Sequence, residues 1–262
     1  MRNAIVAAAF AVVALVPAPA FAAIVDITLI TGAWQLAVPP PPDTTIANGD
    51  PLSTIRWGVP ATPAGQSGYD FLSAVTLNLI VPVPGDSGPG LLGTFTHLNF
   101  PIFAPSLESV QLKVTADVVV DGVDQGLRVF LFDFTHDETP NGGPPGGPFV
   151  GTCPYPVPGS PNGSGVNSAG CADKVTVTSN IASENFLVNG IEYTLDILGF
   201  SQNGGTTITN QFLTVENQNN VAGLFASVTA VNPPEVPEPG SLALVGLAML
   251  GVVGILRRKS IR

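Results

Sequence analysis

Hydrophobic and polar positions alternate with a period of two along much of this chain, most clearly between residues 110 and 118. Val110, Leu112, Val114, Ala116 and Val118 share one face, while Gln111, Lys113, Thr115 and Asp117 share the other. That spacing predicts a strand with one packed face and one wet face. Asp121-Gly122 follows as a two-residue hairpin turn, and the returning segment sets Phe130, Phe132 and Phe134 in a row that reads as core. A second hairpin is predicted at Asn189-Gly190, with Ile191, Tyr193, Leu195 and Ile197 facing inward on the strand after it. Further strands are predicted over 24–30, 34–38, 53–59, 71–81, 207–217 and 221–231, and Pro39 to Pro42 break the chain after the second of these. Some ten short strands with closely spaced turns predict an all-β fold, a two-sheet, jelly-roll-like β-sandwich over residues 23–231.

Composition strengthens this picture. The 262 residues include 29 Gly and 26 Pro, and only 11% are charged, a density of chain-breaking residues that disfavours long helices. No long helical pattern occurs between the two ends.

The ends differ from the body. Residues 1–22 read as a secretory signal peptide, with Arg2, an apolar run from Ala4 to Val16 and a small-x-small site at Ala20 and Ala22. A core helix there is disfavoured by Pro17 and Pro19. Cleavage after Ala22 delivers the chain through the Sec route to an oxidising compartment, where Cys153 and Cys171 are expected to form a disulfide. They bracket a stretch so rich in Gly, Pro, Ser and Asn that it cannot build a core of its own.

Residues 232–240 form a Pro-rich linker, and residues 241–262 combine an apolar segment with a basic end. Residues 241–256 are all apolar or small. As a helix they would cover roughly 24 Å, slightly short of the ~30 Å hydrocarbon core but able to span it with local thinning. Arg257, Arg258, Lys259 and Arg262 then match the positive-inside pattern, which places the body outside and the tail inside. The segment from residue 23 to 240 holds all nineteen acids against four cations, Arg56, Lys113, Arg128 and Lys174, a net charge of −15. Such a body repels nucleic acid and anionic membrane.

Pro237-Glu238-Pro239, an apolar segment, and Arg257-Arg258-Lys259, in that order, resemble the PEP-CTERM sorting signal of exopolysaccharide-producing Gram-negative bacteria. The resemblance implies that exosortase, a membrane-embedded enzyme, recognises and processes the tail. The helix is then a transient inner-membrane anchor for a periplasmic body bound for the cell surface or extracellular matrix. Thr96-His97-Leu98-Asn99, together with residues 56–60 and 136–141, resembles the THxN family of PEP-CTERM proteins and its choice-of-anchor K type of domain. That resemblance implies no enzyme activity.

Candidate chemistry is sparse. The two His, His97 and His136, each follow Phe-Thr at the end of a predicted strand. His136 with Asp133, Asp137 and Glu138 offers an acid/base or metal-ligating group, although no known catalytic or metal-binding motif is present. The plainer reading has Thr96, His97 and Asn99 satisfying backbone groups where a strand leaves its sheet. Asp121, Asp124, Asp133, Asp137 and Glu138 are candidates for Ca²⁺, beside the alternative of solvated acidic turns. No other cofactor is expected. A glycosidase would need two facing acids, for which Asp133, Glu138, Glu192 and Asp196 are the candidates. The expected function is that of an exported, structural or exopolysaccharide-associated surface protein, a biofilm component without enzyme activity. The alternative is an exported, glycosidase-like hydrolase.

Overall fold

The computed structural model describes residues 21–139, 152–155, 162–179 and 185–232. Residues 1–20 of the expected signal peptide and the expected transmembrane helix lie outside them, as does the linker beyond Asn232. Among the described residues, no helix is long and apolar enough to cross a membrane.

The described chain is all-β. In order, the strands are β1 (Phe21–Val38), β2 (Thr45–Ala47), β3 (Leu52–Trp57), β4 (Val59–Pro60), β5 (Ser67–Ser73), β6 (Thr76–Val83), β7 (Gly85–Asp86) and β8 (Gly90–Asn99). They continue as β9 (Ile102–Phe103), β10 (Ser109–Val120), β11 (Val123–Asp137), β12 (Asp173–Ser179), β13 (Phe186–Val188), β14 (Ile191–Ser201), β15 (Gln211–Thr214) and β16 (Gln218–Val231). One sheet has the order β15-β12-β11-β10-β1-β6, and the other β13-β14-β16-β8-β5-β3-β2, with β7 on β16 and β4 paired to β9. The curled sheets make a sandwich-like fold around one hydrophobic core.

The alternation predicted for β10 sets its burial. Val110, Leu112, Val114, Ala116 and Val118 are buried, and Lys113, Thr115 and Asp117 are half-buried on the outer face. Gln111 is buried although it lies on that outer face, held by hydrogen bonds with Gln35 and Asp133. Asp121-Gly122 and Asn189-Gly190 form the predicted two-residue turns, with Val120 paired to Val123 and Val188 to Ile191. All four turn residues have positive φ, as a turn matched to strand twist requires.

Two predicted strand boundaries change. Residues 24–38 form one strand, because bulges between Thr28 and Thr31 and between Gln35 and Val38 shift the pattern without ending it. Inward positions therefore move from Val25 and Ile27 to Ile30, Gly32 and Trp34. The run from 71 to 81 is instead split, with Ser73 ending β5 in one sheet and Thr76 opening β6 in the other. Alternation alone does not show this crossing, since both strands offer one apolar face to the same core.

Candidate functional site

Three strands carry an aromatic residue inward and then a polar residue at each of the next two inward positions. Phe95, His97 and Asn99 do so on β8. Phe134 and His136 do so on β11, with Glu138 just beyond its end, and Phe212 and Thr214 on β15, with Glu216 just beyond. The period of two thus stacks an aromatic layer beneath two polar ones.

Antiparallel pairing brings these strand ends together. Within one sheet, Tyr69 on β5 lies opposite His97 on β8. Within the other, β11 pairs with β12 as far as Asp137 and Lys174, and Asp173 opposite Thr214 continues the same row onto β15. Across the interior, Phe95 and Phe134 stack with ring centroids 5.4 Å apart, and His97 and His136 meet edge to face at 5.1 Å. Trp57 and Tyr69 close the side, 4.8 Å apart, with Trp57 5.5 Å from His136.

The cluster is deeply buried. His97, Asn99, Asp173 and Thr214 are fully buried, and His136, Thr139 and Glu216 nearly so. His97 Nδ1 lies 2.9 Å from Thr214 Oγ1 and His136 Nδ1 lies 2.6 Å from the Tyr69 hydroxyl. The Thr214 hydroxyl donates to the Asp173 carbonyl at 3.4 Å and accepts from Asn99 Nδ2 at 3.3 Å. Directing that proton at the Asp173 carbonyl leaves Thr214 to accept from His97 Nδ1–H, the tautomer in which Nε2 carries the lone pair. Glu138 Oε2 accepts from Ser106 Oγ at 2.9 Å and lies 3.1 Å from His136 Nε2. The Thr139 amide donates to Asp173 Oδ1 at 2.7 Å.

Several buried polar atoms of this group have no hydrogen-bond partner among the described residues: His97 Nε2, Asn99 Oδ1, Glu138 Oε1, Asp173 Oδ2 and Trp57 Nε1. Donor atoms of His97, His136 and Asp173 lie within 4.8 Å of one another, as do those of Glu138, Asp173 and Glu216. The electrostatics follow from burial. Asp173 is pushed well above the ordinary carboxylate range by burial and then by the charges of Glu138 and Glu216, while Thr139 opposes the shift. Glu216 is pushed up to about 8, first by burial and then by Glu138, against hydrogen bonds from Asn99 and Asn217. Burial, and then His136, holds His97 well below the usual imidazole range. Burial, and then Asp173 and Glu138, pushes the Tyr69 hydroxyl well above its usual range.

Cys153 and Cys171 are disulfide-bonded, with Cα atoms 5.1 Å apart. The bridge ends two residues before Asp173. Thr139 Oγ1 donates to the Cys171 carbonyl at 2.7 Å, and Asn167 Oδ1 accepts from the Ala172 amide at 2.8 Å.

The other acids singled out in the sequence do not converge. Asp121 caps Ile24 and Asp124 caps Gly126, each through a backbone amide. Asp133 takes a hydrogen bond from Gln111 on the outer face of one sheet, and Asp137 accepts from the Tyr155 hydroxyl and pairs with Lys174. Glu192 and Asp196 lie on the outer face of the other sheet, beside Asn185 and Thr229. Of all these, Glu138 alone joins the interior cluster. Thr96 is half-buried on the outward face of β8, between inward Phe95 and His97. Sequence reasoning missed Tyr69, Asp173, Thr214 and Glu216. The readable signal was the recurrence, on three strands, of an aromatic residue followed at alternate positions by two polar ones.

Comparison with known proteins places one part of the chain. Residues 235–259 match the PEP-CTERM protein-sorting motif. The chain is therefore exported and sorted to the cell surface as an exosortase substrate. The match falls on the tail and does not extend to the body. No curated protein matches the chain.

Proposed function

We propose that the chain delivers a non-enzymatic, structural domain to the cell surface or extracellular matrix, where it is associated with exopolysaccharide. The sorting motif at residues 235–259 carries the reading. The proposed organisation is a signal peptide over 1–22, a body over 23–231, a stiff spacer over 232–240 and a transient transmembrane helix with its basic tail over 241–262, with Glu238 held just outside the bilayer. Pro237, Glu238 and Pro239 are the handle for exosortase, and Arg257, Arg258 and Lys259 halt export with the body in the periplasm.

Features of the body support a structural role. Aromatic side chains are concentrated in the interior, and the four acids that a glycosidase would recruit are divided among the interior, for Glu138, one outer face, for Asp133, and the opposite outer face, for Glu192 and Asp196. A net charge of −15 favours a polymer matrix containing cations over anionic membrane or nucleic acid. The likeness of Thr96, His97 and Asn99 to the THxN pattern belongs to this reading as well.

The test is Glu238→Ala, which leaves tail charge and apolar length almost unchanged. In cells that contain exosortase, the variant should accumulate as a heavier, membrane-bound form, while the parent is processed. Equal masses and equal fractionation would remove the support for Glu238 as the handle.

A further inference from the structure

The geometry points to a divalent transition-metal site of the zinc class, built from His97 Nε2, His136 Nε2 and the Asp173 carboxylate, with Glu138 at the fourth position. Its donors come from both sheets, so the ion would cross-link the sandwich at one end. The inference is independent of the sorting signal.

Three observations carry it. First, His97 is fully buried and its Nε2 has no partner among the described residues, although donor atoms of His136 and Asp173 lie within 4.8 Å. In the tautomer with its proton on Nδ1, the Nε2 lone pair gains nothing from ionised carboxylates, which offer it no proton. A cation gives both groups a partner. Asp173 Oδ2 and Glu138 Oε1, also buried and unpartnered, complete the set of open lone pairs.

Second, the surroundings hold each imidazole by its far nitrogen. Thr214 Oγ1 stands at His97 Nδ1 and the Tyr69 hydroxyl at His136 Nδ1, at 2.9 and 2.6 Å. Such outer contacts fix the ring orientation and the tautomer of a metal-ligating histidine. His136 Nε2, now 3.1 Å from Glu138 Oε2, would exchange that contact for one with an ion that both groups share. The Thr139 amide holds Asp173 through Oδ1 and leaves Oδ2 open.

Third, the donor set suits a divalent cation. Three acids meet here, while the ion pairs of Arg56 and Lys174 are made elsewhere, with Asp70 and Asp137. Two carboxylates and two neutral imidazoles balance a divalent ion. Nitrogen donors select zinc-like metals over Ca²⁺ and Mg²⁺, which prefer oxygen. Tetrahedral zinc with bonds of ~2.0–2.1 Å sets its ligand atoms roughly 3.4 Å apart, so the donor atoms of His97, His136 and Asp173, which lie within 4.8 Å of one another, need contract by at most about 1.4 Å.

The test uses the untagged full-length chain in detergent, stripped with chelator and titrated with Zn²⁺, with Co²⁺ as a spectroscopic substitute and Ca²⁺ as a control. One equivalent of Zn²⁺ should bind, and Co²⁺ should give the visible bands of a four-coordinate site. His97→Gln and Asp173→Asn should weaken binding by more than about 100-fold, and Thr214→Val by about 10- to 100-fold. Circular dichroism reports whether each variant folds, and wild-type stoichiometry decides the question if they do not. A folded wild-type chain that takes up no stoichiometric Zn²⁺ would overturn the site. So would equal affinity in folded His97→Gln and Asp173→Asn, or binding of Ca²⁺ in place of Zn²⁺.

Discussion

Two parts of one interior, continuous along the same strands, differ in chemistry but hardly in burial. On β11, Phe130, Phe132 and Phe134 are 0% exposed, and His136, next on the same face, is 6% exposed. On β8, fully buried Phe95 gives way to fully buried His97 and Asn99. The aromatic part gains stability from area removed from water and asks nothing of its neighbours beyond shape. The polar end has the same burial without that gain, and each unpartnered atom there costs about 1–3 kcal/mol. Strand periodicity determines which residues face inward; it does not determine what the interior is for.

The largest expected effect breaks the aromatic part. Phe134→Ala should cost about 3–5 kcal/mol, because it leaves a cavity between Trp34, Phe95 and Phe200. Denaturant unfolding should give the same loss with chelator as with Zn²⁺. A loss that depended on metal would blur the distinction between the two parts.

Removing the disulfide should cost about 3 kcal/mol by the chain-entropy account, and its local effect sharpens the comparison. Replacing Cys153 and Cys171 with Ala frees the segment that leads into Asp173, so hydrogen exchange should accelerate at the β12 and β15 amides. The β1–β10 ladder should change little. Uniform acceleration would show that the bridge does not act on the polar end in particular.

The smallest effect is expected at the polar end itself. At Zn²⁺ a few-fold above the wild-type dissociation constant, His97→Ala should lower stability by about 1–3 kcal/mol, through lost bonds to Thr214 and to the ion. In chelator the loss should be smaller, because the substitution also removes an unpartnered buried nitrogen. Equal losses in the two media, read from thermal unfolding, would make His97 a packing residue only.

Much of the fold was legible for local reasons. Alternation fixed the buried face of β10, and Asp121-Gly122 and Asn189-Gly190 fixed two hairpins, since both signals lie within a few residues of sequence. The passage from β5 to β6 between sheets was not legible, nor was the continuity of β1 through its bulges, because alternation carries no label for the partner strand. The tail was readable from order alone, with the tripeptide, apolar run and cations adjacent in the chain. The interior cluster was half visible. His97 and His136 were noticeable as the only histidines and for their shared Phe-Thr context, and Glu138 lay beside one of them. Asp173 and Thr214 belong to strands far away in sequence, with Glu216 just beyond one of them, and only antiparallel pairing shows that their positions meet. Acids near His136 in sequence, Asp133 and Asp137, point outward because they differ from it by an odd number of residues.

Anomalous scattering from crystals of the Zn²⁺-loaded protein, recorded on both sides of the zinc edge, tests the central claim most directly. The account predicts one strong peak between the two sheets, ~2.0–2.1 Å from His97 Nε2 and His136 Nε2 and ~2.0–2.2 Å from an Asp173 oxygen. Ordered side chains in the same places, with no anomalous peak between them, would contradict it and leave a network closed by protons alone.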